Sequence, residues 1–338
     1  MTDGLLHGMV RGGRGQAAAI VPMLGIAVAA AGCLVMSQVL GPASLRLLSE
    51  ILIYLTLAQL WNLLAGYAGL VSVGQQAYVG LGGYAFFSAA TGLGLPPLPA
   101  LLVGGVAGLV AAAVASVFIF RLKGAHFAIG TWVVAEICLL TVAITPGLGS
   151  GSGLSLPAAV VRTLGASPEA RATVFLALAL ALATVTIVAI YLLMRSRIGL
   201  ALVAIRDSER AAEALGVDAM RIKRMVYIAV GFATGVAGGL IFLMKLRMTP
   251  DSAFSLLDWT AYVLFIVIIG GTGRIEGPFI GTLIFFVLRT LFAGYGPIYL
   301  VVLGAVAVAA MLFAPGGAWG LIARWTNVEL FPIRRRPS

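Results

Sequence analysis

The residues able to do covalent or metal chemistry are few in this sequence of 338 residues: two cysteines, two histidines and three lysines. Cys33 and Cys138 lie inside apolar runs and His7 and His126 are far apart, so there is neither a disulfide framework nor a metal-ligand spacing. A phosphate-binding loop needs a lysine followed by Ser or Thr. Lys123, Lys223 and Lys245 are followed by Gly, Arg and Leu, so ATP hydrolysis by that route is excluded. No catalytic residue, metal or cofactor is expected. What remains is polar chemistry in apolar surroundings: Gln59, Asn62, Ser72, Gln75 and Gln76 around one glycine-spaced stretch, and Glu136 within a later apolar run. At membrane depth such groups either line a path for a polar solute or satisfy backbone freed by a broken helix. For Glu136 the choice is between lining a path and a structural pair with Arg289, Asn or Gln from another span.

A second chemistry-bearing stretch is the polar island Arg195 to Arg224, which holds eleven of the 34 formal charges. Asp207 or Ser208 can cap a short helix on which Glu209, Arg210 and Glu213 point one way while Ala211, Ala212 and Leu215 form a small apolar face. Gly216 supplies the stop, and Asp218 can cap a following helix that carries Arg221, Lys223 and Arg224 into the next apolar run. A helix, glycine turn and helix at a membrane surface would present a docking knob for a soluble partner. A basic loop between spans is the plainer reading of the same composition.

The elements that must position these residues are membrane helices. Apolar residues make up 61% of the chain and charged residues 10%, with mean hydropathy +1.08, which leaves a soluble fold no polar surface. Continuous runs of Ala, Leu, Val and Ile, about 20 residues per crossing, predict an all-α integral membrane protein, a polytopic bundle of about ten transmembrane helices. The expected spans are Ala17–Met36, Leu45–Leu64, Ala77–Leu93, Ala100–Phe120, His126–Thr145, Ala172–Met194, Met225–Met244, Trp259–Gly271, Pro278–Leu291 and Ile298–Phe313. Residues 1–16 form a lead, 17–320 a single membrane domain with residues 195–224 as its cytoplasmic segment, and 321–338 a basic tail. Ala30-Ala31-Gly32-Cys33 resembles a lipoprotein cleavage site, but the apolar run continues past it, so an uncleaved first span is expected.

Sixteen of the 22 Lys and Arg fall in segments that are inner if the amino terminus is inside, and five in outer segments. This asymmetry places both termini in the cytoplasm. Two glycine-rich links, Gly66 to Gln76 and Gly270 to Pro278, then face the same side and suggest a loose duplication. The glycines from Gly66 to Gly83 are expected as close helix contacts, and Arg274 and Glu276 are expected to pair or to cap helix ends.

Four stretches together carry a family resemblance: NLLAGYAGLVSVGQQAYVGLGGYAFF from Asn62, RLKGAHFAIGTWVVAEI from Arg121, AIRDSERAAEALGVDAMRIKRMVY from Ala204 and IIGGTGRIEGPFIG from Ile268. The sequence resembles, over about Ser44 to Gly320, the LivM-type permease subunits of branched-chain amino acid ABC importers. The resemblance implies a bacterial inner-membrane permease that is not itself an enzyme. It implies pairing with a second, LivH-type permease, two cytoplasmic ATP-binding subunits and an external solute-binding protein. It places Arg206, Glu209, Arg210, Glu213, Ala214 and Gly216 in the ATPase-coupling segment. Gln59, Asn62, Ser72, Gln75, Gln76 and Glu136, singled out above by their polarity at membrane depth, are the candidate pathway residues. Gln75 and Gln76, and the Leu148 to Gly153 stretch, depart from the family's usual residues and leave the solute open among branched-chain amino acids, other amino acids, urea and amides. An ion-coupled secondary transporter built on Glu136 or Glu50 is the reading from another class, and it gives the island no purpose.

Overall fold

The computed structural model describes residues 40–296, 298–314 and 316–326, together with Gly32 and Phe331. The expected first span, Ala17–Met36, and most of the basic tail lie outside these residues. The described residues are mostly helical: α1 (Pro42–Asn62), α2 (Gln75–Gly92), α3 (Pro97–Ile119), α4 (Ala125–Ile144), the short α5 (Ala158–Arg162), α6 (Pro168–Arg195), α7 (Arg197–Asp207), α8 (Glu209–Ala214), α9 (Ala219–Lys245), the single-turn α10 (Pro250–Ala253), α11 (Tyr262–Gly270), α12 (Glu276–Phe292), α13 (Ile298–Phe313) and α14 (Gly317–Thr326). Prolines open α1, α3, α6 and α10 at a position where their missing N–H is not needed. Two residues at Leu154–Ser155 (β1) pair antiparallel with Arg247–Met248 (β2), tying the connection between α4 and α5 to the end of α9.

Among the described residues six helices are long and apolar enough to cross a bilayer: Pro42–Tyr67, Pro97–Ile119, Ala125–Ile144, Pro168–Arg195, Ala219–Lys245 and Pro250–Gly270. A seventh arises if Ile298–Phe313 and Gly317–Trp325, bent by 46°, count as one. The expected count of ten is not confirmed among the described residues, which do not include the first expected span. The expected third span is α2, where glutamines and glycines dilute the apolar content, and the expected ninth is α12, which has only 17 residues and carries Glu276 and Arg289.

The bundle centre is the packing of α2, α3 and α9, and it depends on glycine. A Cβ on Gly82 would lie 2.2 Å from the Gly235 carbonyl oxygen, and one on Gly235 would lie 2.4 Å from that of Gly104. Backbones approach this closely only where both sides lack side chains. Around this contact Phe86, Phe87, Phe242 and Leu240 fill a core that continues through Tyr54, Trp259 and Phe285 to α1, α11 and α12. A second cluster, centred on Tyr191, Tyr227 and Phe120, lies beside the polar island. There the hydroxyls of Tyr78 and Tyr227 share a hydrogen bond of 2.5 Å.

Candidate functional site

The site begins where α1 stops being regular. After Asn62 the chain makes a π-turn, Leu63–Tyr67, then runs without helix to Gln75. The structure sets this break against the second glycine-rich link. The Asn62 side chain accepts from the Gly273 N–H and donates to the Arg274 carbonyl, both at 2.8 Å. Gln59 Nε2 donates to the Ile275 carbonyl at 2.7 Å. A Cβ on Gly66 would fall 2.5 Å from the Gly273 nitrogen. Backbone outside a helix survives at membrane depth only when protein satisfies it, and here each link satisfies the other. Sequence reading expected the two links on one side but gave no sign that they touch, because the partners are 211 to 216 residues apart.

The rest of the break is held by side chains. Trp61 Nε1 donates to the Ser72 carbonyl at 2.8 Å, the Val73 N–H donates to Thr131 Oγ1 at 2.9 Å, and Gln75 Nε2 donates to the Leu57 carbonyl at 3.2 Å. Gln76 Oε1 accepts from Thr260, beside a second π-turn at Leu257–Ala261. Gln59, Asn62, Ser72, Gln75 and Gln76 are all buried. Three of them keep an atom that no protein group satisfies: Gln59 Oε1, Gln75 Oε1 and Gln76 Nε2, with Thr234 Oγ1 on α9 in the same state. A buried polar atom without a partner costs about 1–3 kcal/mol. Spare acceptors and a spare donor in an apolar bundle therefore suit transient hydrogen bonds to water or to a polar solute, and Asn62, with both ends engaged, suits fixing the break.

The polar island folds in three pieces, where two helices were expected. Ser196 caps α7 by accepting from the Ile198 and Gly199 N–H groups, and Ser208, not Asp207, caps α8. Asp218 caps α9 by accepting from the Arg221 N–H at 2.9 Å. At the end of α8 the Gly216 N–H donates to the Glu213 carbonyl at 2.9 Å and the Val217 N–H to that of Ala212 at 3.1 Å, with Gly216 at φ +83°. This glycine-dependent helix stop is the one expected. The apolar face differs. Only Ala212 turns inward, against Ile205 and Ala219. Leu215 is 84% exposed and forms the tip of the turn. Glu209 does not project freely: its carboxylate meets Lys223 at 3.0 Å, while Arg210, Glu213 and Ala214 are exposed.

Arg206 joins the two halves of the site. At the end of α7 its Nη1 donates to the Gly66 carbonyl inside the π-turn at 2.7 Å, while Nε and Nη2 hold Asp207 Oδ1 at 3.0 and 2.9 Å. Its Nη1 also lies 3.4 Å from where a Cβ on Gly273 would sit. One guanidinium thus ties the polar segment to the first broken link, at its point of contact with the second. Beside it a cavity of about 580 Å³ opens between Gly69, Val71, Phe120, Lys123, Asp207 and Met220. The sequence marked Arg206 as part of the island but showed nothing of its bond across 140 residues.

Two expectations are corrected. Arg289 pairs with Glu50 at 2.7 Å and not with Glu136. Of the two alternatives for Arg274 and Glu276 the ion pair is not formed, whereas Glu276 stands at the start of α12, and its carboxylate accepts from the Phe331 N–H at 2.8 Å. Glu136 lies near the middle of α4, and its hydrogen bond comes from Trp132 Nε1 at 2.9 Å, one turn away on the same helix. A carboxylate at the centre of a membrane helix costs about 3 kcal/mol when it faces lipid. Among the described residues no three His, Cys, Asp or Glu side chains gather as metal ligands.

Apolar spanning helices, two interlocked breaks and a polar segment tied to them by an arginine define a multi-pass membrane protein with a buried polar centre. Residues 43–314 match the family described as branched-chain amino acid transport system / permease component, and the chain belongs to that family. It is 27% identical over 288 residues to the high-affinity branched-chain amino acid transport system permease protein LivM of Escherichia coli, covering 79% of this chain and 67% of that one. It is 25% identical over 193 residues to the probable branched-chain amino acid transport permease protein LivM of Methanocaldococcus jannaschii, covering 57% of this chain and 55% of the relative. The probable permease protein LivH of the same archaeon is 27% identical over 143 residues, covering 38% and 43%. No solved structure matches the chain.

Proposed function

We propose that the chain is a permease subunit of an ATP-driven importer, forming with a second, LivH-type permease the membrane path for branched-chain or related amino acids. Two cytoplasmic ATP-binding subunits and an external solute-binding protein complete the assembly, in a bacterial inner membrane with both termini cytoplasmic. Membership of the permease family supports this reading, and the single observation that carries the mechanism is the Arg206 to Gly66 hydrogen bond of 2.7 Å.

The ATP-binding subunits dock on the segment from Arg206 to Gly216, with Glu209, Arg210, Glu213 and Ala214 on its helix and Leu215 at its tip. Closure of those subunits on ATP displaces α8, and Arg206 carries the displacement into the π-turn of α1. The break moves against Gly273 and Arg274, because Asn62 holds both. Gln59, Ser72, Gln75 and Gln76 line the part of the path that this motion opens, where amide atoms without protein partners exchange hydrogen bonds with the passing solute. An ion-coupled transporter built on Glu50 or Glu136 is less well supported, since each carboxylate already accepts a hydrogen bond.

The test is co-expression with a second permease, two ATP-binding subunits and a binding protein, followed by reconstitution in proteoliposomes. Uptake of labelled leucine that requires internal ATP and external binding protein is expected. Uptake that follows a proton or sodium gradient without ATP refutes the proposal.

A further inference from the structure

The helix α4 has two faces of unlike character. Phe127, Thr131, Ala135 and Val142 are buried on one side, against the bundle. On the opposite side Ile129, Val133, Ile137, Leu140 and Ile144 are all more than 45% exposed. These five recur at steps of four, four, three and four residues, the spacing of a helix that packs along one seam. Glu136 falls on this outward side, beside the half-exposed Trp132 that donates to one of its oxygens. It is the twelfth of the 20 residues of α4, so it lies within one turn of the helix centre.

Three surroundings are conceivable for such a face. Lipid gives a carboxylate no hydrogen-bond donor. A water-filled path would suit Glu136 but not the branched aliphatic side chains that flank it on every turn. A second membrane helix suits both, because aliphatic residues pack along the seam and one buried polar group fixes depth and register. The identity of that helix follows from charge. Two copies of this chain, related by a two-fold axis normal to the membrane, would bring α4 against α4 with Glu136 facing Glu136 at the same depth, and like charges there repel.

We infer that the outward face of α4 is the seam with a second permease of different sequence, which presents a hydrogen-bond donor at the depth of Glu136. This inference rests on the permease reading above and adds to it the surface used and the chemistry of the contact. It also makes Glu136 a residue of the subunit seam in place of a solute ligand. The Trp132 indole orients one carboxylate oxygen along its own helix, which leaves the other for the donor on the partner.

The experiment uses the complete complex in native membranes. A benzophenone-bearing amino acid replaces Ile137 or Leu140, and adducts formed under light are identified by mass spectrometry. The expected product joins this chain to the second permease. Glu136→Gln, which still accepts a hydrogen bond, should keep the adduct yield within about twofold. Glu136→Leu should lower it by about tenfold while leaving the amount of this chain in the membrane unchanged. An adduct between two copies of this chain overturns the inference, as does labelling of lipid alone while the second permease still co-purifies. An unchanged yield in Glu136→Leu overturns the role of the carboxylate. Absence of any second permease from the purified complex refutes the permease reading itself, and this inference with it.

Discussion

Removing the Arg206 guanidinium should uncouple ATP hydrolysis from transport without dismantling the bundle. The side chain makes two kinds of contact, and their surroundings decide which matters. Its pair with Asp207 is exposed, at 36% and 63% side-chain exposure, so water and salt screen it and it contributes at most about 1 kcal/mol. Its bond to the Gly66 carbonyl is partly buried and donated by a charged group, which is worth about 1.5–3 kcal/mol. Taking about 2 kcal/mol, Arg206→Ala shifts the balance between linked and unlinked polar segment by about thirtyfold. Arg206→Lys keeps one donor but cannot hold Gly66 and Asp207 together, so its effect should be smaller, about threefold to tenfold. In proteoliposomes the readout is solute molecules taken up per ATP hydrolysed, beside the hydrolysis rate with and without binding protein. The ratio should fall at least tenfold in Arg206→Ala while hydrolysis continues. An unchanged ratio, with the complex assembled normally, refutes transmission through this residue.

Gly216→Val meets no steric obstacle, since nothing lies within 4 Å of an added Cβ, but it forces a β-branched residue to φ +83°. It should weaken retention of the ATP-binding subunits on purification about fivefold to thirtyfold, from 1–2 kcal/mol of backbone strain, and Gly216→Asn should restore most of it; equal loss in both variants would argue against strain as the cause. Asn62→Leu should lower the yield of assembled complex, because it frees the Gly273 N–H and the Arg274 carbonyl together. Gln75→Leu, by contrast, should reduce uptake more than yield, and parallel losses in uptake and yield would assign it to structure. Single cysteines at Ser152 and Ser208, in a Cys33→Ser, Cys138→Ser background, should label from opposite sides of the membrane, and labelling of both from outside overturns the orientation.

The class of fold was legible because it follows from composition: long apolar runs have no other stable arrangement, and six of them form spanning helices. Local signals were legible too. The Ser208 and Asp218 caps and the Gly216 stop depend on a few neighbouring residues, and all three stand where the sequence put them. The α7 helix was missed because its pattern, RIGLALVAIRD, blends into the apolar run before it, and only the Ser196 cap separates it from α6. Leu215 was misplaced because periodicity assumes that the helix continues, whereas the chain turns one residue later. The joining of the two links could not be read at all. Asn62, Arg206 and Gly273 are ordinary residues locally, and their significance comes from contacts 140 or more residues apart, which no periodicity encodes. Glu136 was legible as a costly group, but not its Trp132 partner or its outward face.

If the ATP-binding subunits act at the turn after α8, its exposed tip gives direct access to the contact. Leu215, 84% exposed, is replaced by a benzophenone-bearing amino acid in the assembled complex, and adducts are identified after illumination with and without bound nucleotide. One dominant adduct with an ATP-binding subunit is expected, its yield changing when ATP is bound. Absence of that adduct from a complex that still contains the ATP-binding subunits and still transports solute would contradict action at this turn.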